Sequence, residues 1–254
     1  MQDKWRLDLK VKDILPEILG VLFALLLLNL WYLSSLAIEH RIVPSTYDYF
    51  LKAIVVLCAA FFGSFSAFYL NTRKEKNKET KDNIAALNAA LFVTLRQING
   101  LLNLKKAILP LEKDPIRLLK LQAMYTSDYS DLKIDLDRLE FLLKEHPNLL
   151  FGLSLEQGRF ESAVRITNMR TEFHHNDLQK ELNDCKFSIE DPTLEQLVNA
   201  VGPRIVGTAM TLTNGMYEQV LQSVDSVTEI HEELFEIAKT EFPGEPFVKY
   251  QKDV

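Results

Sequence analysis

The chain has 254 residues, with 29 Lys and Arg against 35 Asp and Glu for a formal charge of −6. That length leaves room for an apolar hairpin and one further domain. The acidic balance speaks against a protein that grips nucleic-acid phosphates, and two cysteines, Cys58 and Cys185, build no disulfide framework.

The charge is unevenly spread. Residues 1–81 hold 11 basic and 8 acidic side chains, a balance of +3, which leaves 18 and 27 for residues 82–254, a balance of −9. An acidic second half suits a basic protein partner better than a nucleic acid.

Residues 1–13 alternate charge with Trp5, Leu7, Leu9 and Val11. They read either as a cytoplasmic amphipathic lead-in lying on the inner leaflet or as a disordered tail. A hairpin at 14–70 follows, with spans at 14–38 and 49–70 and an outer loop at 39–48. Each span has about 20 residues of apolar helix, enough to cross about 30 Å of hydrocarbon. Lys4, Arg6, Lys10 and Lys12 precede the first span, and Arg41 alone stands for the basic residues in the loop. Arg73, Lys74, Lys76, Lys78 and Lys81 follow the second. This asymmetry predicts a multi-pass membrane protein with both termini cytoplasmic. Trp31, Tyr32, Tyr47 and Tyr49 fall at the outer end, where amphipathic rings belong.

Two features of the spans go beyond anchoring. Asn29 is a polar side chain near mid-span, and Ala59, Gly63 and Ala67 recur at spacing four. Small residues let helices approach and an amide bonds across them. They serve either self-association of hairpins into a homo-oligomer or packing of the two helices within one hairpin. Residues 71–82, a basic linker, either continue the second helix or break it, and their cations suit an anionic leaflet.

From residue 83 to 242 the pattern is that of an acidic cytoplasmic helical domain. Ile84, Leu87, Leu91, Leu95, Ile98 and Leu102 make one apolar stripe, weakened at Gly100 and ended by Pro110 and Pro115. A short helix is expected over 116–125. Another is expected over 127–145, capped by Ser127 or Asp128, with Leu132, Leu136, Leu139 and Leu143 inward. The next helical stretch, 149–185, offers Phe160, Val164, Met169, Phe173 and Leu178 as core. Its Glu172, His174, His175 and Asp177 invite a metal reading. Adjacent helical histidines point about 100° apart and chelate poorly, so a solvated surface is expected there. Thr193 and Gln196 fit a capping box for a short helix to 200. Ile205, Ala209, Leu212, Met216, Val220, Val224, Val227, Leu234 and Ile237 keep one phase through Asn214-Gly215. That predicts one helix from 203 to 241, followed by a flexible tail at 243–254. The fold class is therefore all-α.

No phosphate-cradling glycine loop, Gly-x-Ser-x-Gly elbow or spaced cysteine–histidine pair is present. The expectation is a protein without catalytic residues, cofactor or metal, either a membrane-acting effector or a membrane-anchored scaffold. The hairpin at 14–70, the Lys-rich exit at 73–81 and the domain beginning Asn83-Ile84-Ala85-Ala86-Leu87-Asn88-Ala89-Ala90-Leu91 together resemble the two-transmembrane effectors of bacterial antiphage defence. The likeness is greatest to the transmembrane protein encoded with a retron. The resemblance implies a partner reverse transcriptase with its RNA–DNA hybrid, which holds the effector silent. It further implies that phage infection releases the effector to damage the inner membrane in abortive infection.

Overall fold

A computed structural model describes residues 2–40, 46–126, 129, 131–188 and 192–250, with side chains for all of these but 2–19, 46–48 and 51. The fold is all-α, with seven α-helices and no strand among the described residues. The chain divides into two compact units, Met1–Thr80 and Lys81–Val254.

The first unit holds α1 (Gln2–Glu39) and the opening part of α2 (Thr46–Ile108). Both contain an apolar stretch long enough to cross a membrane, one at Gly20–Glu39 and one beginning at Lys52. Each has a mean hydropathy of 2.1 and none of its window buried. Residues 2–13 are the first turns of α1, and 71–82 are helical within α2. Of the predicted outer loop at 39–48, residues 41–45 lie outside the described residues, while 39 still belongs to α1 and 46–48 already belong to α2. Phe23 of α1 meets Phe62 of α2 with ring centroids 4.1 Å apart.

The second unit is a helical bundle. Leu87, Leu91, Thr94, Ile98, Leu101, Leu104 and Ile108 recur at threes and fours along α2 and are buried. The predicted stripe is thus present, shifted in detail: Leu95 and Leu102 are only partly covered, and Thr94 and Gln97 are fully buried. Helix α4 (Pro147–Phe173) and α7 (Pro203–Glu241) form the main helix pair. Leu87 and Leu91 of α2, Leu149 and Leu153 of α4, and Ile230, Leu234 and Ala238 of α7 share one core cluster. A second joins Ile98, Leu101 and Ile108 to Phe160, Ala163, Met216, Val220 and Val227. At the close crossing of α4 and α7, a Cβ at Gly152 would come within 2.7 Å of Ile230 Cδ1. Pro147 occupies the first turn of α4, where its missing N–H costs nothing. The capping box at α6 (Leu194–Val201) is present: Gln196 N–H donates to Thr193 Oγ1 at 3.3 Å and Thr193 N–H to Gln196 Oε1 at 2.8 Å. Gly202, at φ 87°, turns the chain from α6 into α7.

Three sequence expectations are corrected. The helix over 116–125 is only α3 (Arg117–Lys120), after which Leu121 is extended. Carbonyls of this segment are taken by α4 side chains instead of a helical ladder. The helix over 127–145 is a 3₁₀ segment, Asp137–Lys144, and its proposed caps Ser127 and Asp128 lie outside the described residues. Leu136, Leu139 and Leu142 are three apart, and a helix of three residues per turn stacks them on one side. Leu139 and Leu142 are therefore buried while Leu143 faces out. Finally, residues 243–250 are not loose. Phe247 and Val248 pack against the first cluster and Tyr250 against the second.

Helix α7 passes unbroken through Asn214-Gly215. A Cβ at Gly215 would sit in ordinary contact, 3.7 Å from Ile166. Gly215→Ala is therefore expected to stabilise the bundle by about 0.5–1 kcal/mol, the usual helix-interior gain. Chemical denaturation of the two proteins measures it, and a loss of stability would mean that the backbone at 215 is not helical.

Candidate functional site

The hairpin residues singled out by sequence all lie on open surface. Asn29, Ala59, Gly63 and Ala67 are exposed in the first unit, and a Cβ added at Gly63 meets nothing within 4 Å. The helix–helix contact runs elsewhere, through Phe23 and Phe62. Phe23, Leu27 and Ser34 on α1, and Val55 and Cys58 on α2, are the partly covered positions around it. The small-residue strip therefore does not zip the hairpin together. The large apolar side chains face outward as well, among them Leu22, Leu26, Trp31, Phe61, Phe65 and Phe68. Removing each such side chain from water is worth about 1.5–3 kcal/mol, so this surface is costly in an aqueous setting. Ser34 and Thr72 bond back to the carbonyls of Leu30 and Phe68, which satisfies their hydroxyls inside the helix.

Arg73, Lys74, Lys76, Lys78 and Lys81 follow on α2, interleaved with Glu75, Glu79 and Asp82. Helical spacing distributes them around the helix, so the segment presents a ring of mixed charge with a basic excess rather than one basic face.

The bundle contains polar chemistry that the sequence pattern did not single out. On α4 the inward face changes character after Ala163, where Thr167, Arg170, Thr171 and His174 are buried. Met169, expected inside, is 48% exposed. Arg170, 2% exposed, donates to the carbonyls of Gln122 at 2.8 Å, Leu118 at 3.1 Å and Leu121. Thr171 Oγ1 accepts from Met124 N–H at 3.1 Å and donates to Met124 O at 2.7 Å, while Thr126 Oγ1 donates to Asn168 Oδ1 at 2.8 Å. Further along, Gln97 and Gln157 both donate to Leu132 O. These side chains bind the described residues of 121–126 and 131–134, where no helical ladder is present. Burial lowers the Arg170 guanidinium to about 10, which leaves it charged at neutral pH.

His174 is 8% exposed, not the solvated residue expected from the sequence. Arg170 Nη2 lies 3.3 Å from its Nδ1, and the Gln179 amide lies 3.1 Å from its Nε2. It begins a π-helical turn, His174–Leu178, whose extra residue brings both His174 and Leu178 inward. Burial first, and the Arg170 charge second, push the imidazole down to about 4. Glu172, His175 and Asp177 are exposed, so the adjacent histidines do not converge. The group whose ligand atoms do converge among the described residues is Glu145, His146 and Glu241, with all such atoms within 4.8 Å of one another. His146 Nε2 and Glu241 Oε1 are 3.3 Å apart, within hydrogen-bonding reach of each other.

A cleft of about 270 Å³ lies between the chain at 112–118 and α7. At its edge Asp114 pairs with Lys120 at 3.1 Å, and Arg117 donates to Asn214 Oδ1 at 2.7 Å while it stacks 4.6 Å over the Tyr217 ring. Such a cleft is built for holding a loop to a helix.

No protein-family model, curated protein or solved structure matches this chain.

His174 gives a pH test. Its folded value, about 4, lies below the ordinary 6.5. The neutral ring therefore stabilises the bundle fully above pH 6.5, and that contribution is lost as pH falls through 4. The stability advantage of the wild type over His174→Gln should shrink by about 3 kcal/mol between pH 7 and pH 4. Equal slopes in the two denaturation series would show that the ring titrates as it does in water.

Proposed function

We propose that this chain is a membrane-embedded effector of a bacterial antiphage system, most like the transmembrane effectors of retrons. The observation that carries the reading is the outward apolar surface of both hairpin helices, with Asn29 and the Ala59–Gly63–Ala67 strip on that same open surface. Lipid accepts the apolar side chains, and a neighbouring hairpin accepts the small residues and the amide. The basic residues on either side of the hairpin put both termini in the cytoplasm. There the acidic bundle serves as the handle for a restraining partner, in this reading a basic reverse transcriptase carrying its RNA–DNA hybrid. Release of that partner on phage infection lets hairpins associate and disrupt the inner membrane, so that the infected cell stops before phage mature. Catalysis has no part in this scheme.

A second reading, a membrane-anchored scaffold, rests on the bundle having a complete core of its own. In that case the hairpin is a tether, and replacing residues 14–70 by an unrelated two-span hairpin leaves function intact.

The experiment is expression of the chain alone, with membrane potential and growth followed over time. Rapid depolarisation is expected, reduced about tenfold or more in Gly63→Leu and Asn29→Leu, which block close approach and remove the amide. Polarised, growing cells at confirmed membrane expression would favour the scaffold. Full toxicity in both variants would remove these two residues from the mechanism.

A further inference from the structure

The C-terminal segment of the bundle ends on a buried histidine. After α7, Phe242 packs edge-on to Phe141, and Gly244, at φ 94°, reverses the chain. Residues 245–250 then run back over α2 and α7. Asn88 of α2 donates to Pro246 O at 3.3 Å, and Phe247 and Val248 cover the first core cluster. Lys249 sits 5.2 Å over the Phe235 ring. The run ends where Tyr250 N–H donates to His231 Nε2 at 3.1 Å.

His231 is 1% exposed, and its other nitrogen lies 2.7 Å from Thr94 Oγ1. The hydrogens leave one consistent assignment. Nε2 must be the bare, accepting nitrogen, because a backbone amide can only donate. Nδ1 then carries the ring proton and donates to Thr94 Oγ1, whose own hydrogen goes to Leu91 O at 3.0 Å. Every polar group in this chain is satisfied only when the imidazole is neutral. A second proton would set an N–H against the Tyr250 N–H and break the attachment.

We propose that residues 243–250 are a proton-releasable strap, latched to the bundle by the neutral imidazole of His231. This inference is independent of the membrane-effector reading, since every group it uses lies in the bundle. The groups around the ring agree with it. Glu232 and Glu236 of α7 and Lys249 of the strap line a cavity of about 260 Å³ beside His231 and Tyr250, and α2 contributes the neutral Thr94 hydroxyl. Burial lowers the His231 value, and Glu232 opposes that only in part. A lowered folded value means that docking is complete above the ordinary imidazole range, about 6.5, and weakens as pH falls below it. Release bares Asn88, Phe235 and His231, so acidification converts a closed surface into an open one.

The test is amide hydrogen exchange on the full chain in lipid nanodiscs at about pH 7.5 and about pH 5, corrected for intrinsic rates. Residues 243–250 should be protected at the higher pH and exchange about tenfold faster or more at the lower, while the core segment 87–101 stays protected at both. His231→Gln keeps an acceptor without a titrating ring, so its strap should stay protected at both values. His146→Gln, which alters the Glu241 pair at the end of α7, should behave as wild type. Equal wild-type protection at the two pH values would overturn the proposal, and so would the same acid loss in His231→Gln. If His231→Gln fails to fold, the wild-type comparison of strap against core still decides it.

Discussion

The bundle depends on one continuous contact, the inward face of α7 against α2 and α4. Leu234 and Ile230 meet Leu87, Leu91 and Leu153 at one end, and Val220 and Met216 meet Ile98 and Phe160 further along. Fully burying each of these side chains is worth about 1.5–3 kcal/mol, more than the net of about 0.5–1.5 kcal/mol for a neutral hydrogen bond. α7 can serve in this way because its 39 residues run without a break, so one rigid apolar face spans both clusters. The remaining pieces are attached to that frame. Helix α3 and the described chain at 121–126 and 131–134 are held to α4 by Arg170, Thr171 and Gln157, and the C-terminal strap is held to α7 by His231.

Those attachments explain what the sequence made legible and what it did not. Periodicity identified the inward faces of α2 and α7, the capping box at Thr193 and the continuity through Asn214-Gly215, because apolar spacing and local capping are encoded in neighbouring residues. It failed where polar residues are buried. His174 read as solvated and Arg170 was not singled out: the carbonyls of Leu118, Leu121 and Gln122 that hold Arg170 lie about fifty positions away, His174 is brought inward by the π-helical turn, and no local pattern announces either. The 3₁₀ segment at 137–144 was misread for a related reason. Leu136, Leu139, Leu142 and Leu143 satisfy either a period of three or one of 3.6, and tertiary packing chose the former. The strap contains Phe247, Val248 and Tyr250 amid Pro and Gly, which signals loop chemistry while concealing three docking side chains. Among the hairpin residues, the sequence marked Asn29 and Gly63 but left open which surface they serve, and the Phe23–Phe62 contact that joins the helices was not foreseen.

The two units pose opposite solvation problems. In the bundle, the apolar stripes of α2, α4 and α7 enclose a core, and even buried Arg170 and His231 find partners. In the hairpin, the helices satisfy their own backbone and the hydroxyls of Ser34 and Thr72 while large apolar side chains point outward. A surface of that kind matches hydrocarbon, and it gives way at Arg73, Lys74 and Lys76 to a charged one. This contrast underlies the proposed division of labour, with a hairpin that acts on the membrane and an acidic bundle that receives the restraining partner.

The most direct measurement is the topology of the hairpin in cells. Single cysteines are placed by Ser45→Cys or Lys78→Cys in a chain carrying Cys58→Ala and Cys185→Ser, and a membrane-impermeant maleimide is applied to intact spheroplasts. The account predicts that position 45 is labelled from outside and that position 78 is labelled only after lysis. Labelling of both positions from outside, or of neither before lysis, would contradict a hairpin that crosses the inner membrane twice with its bundle in the cytoplasm.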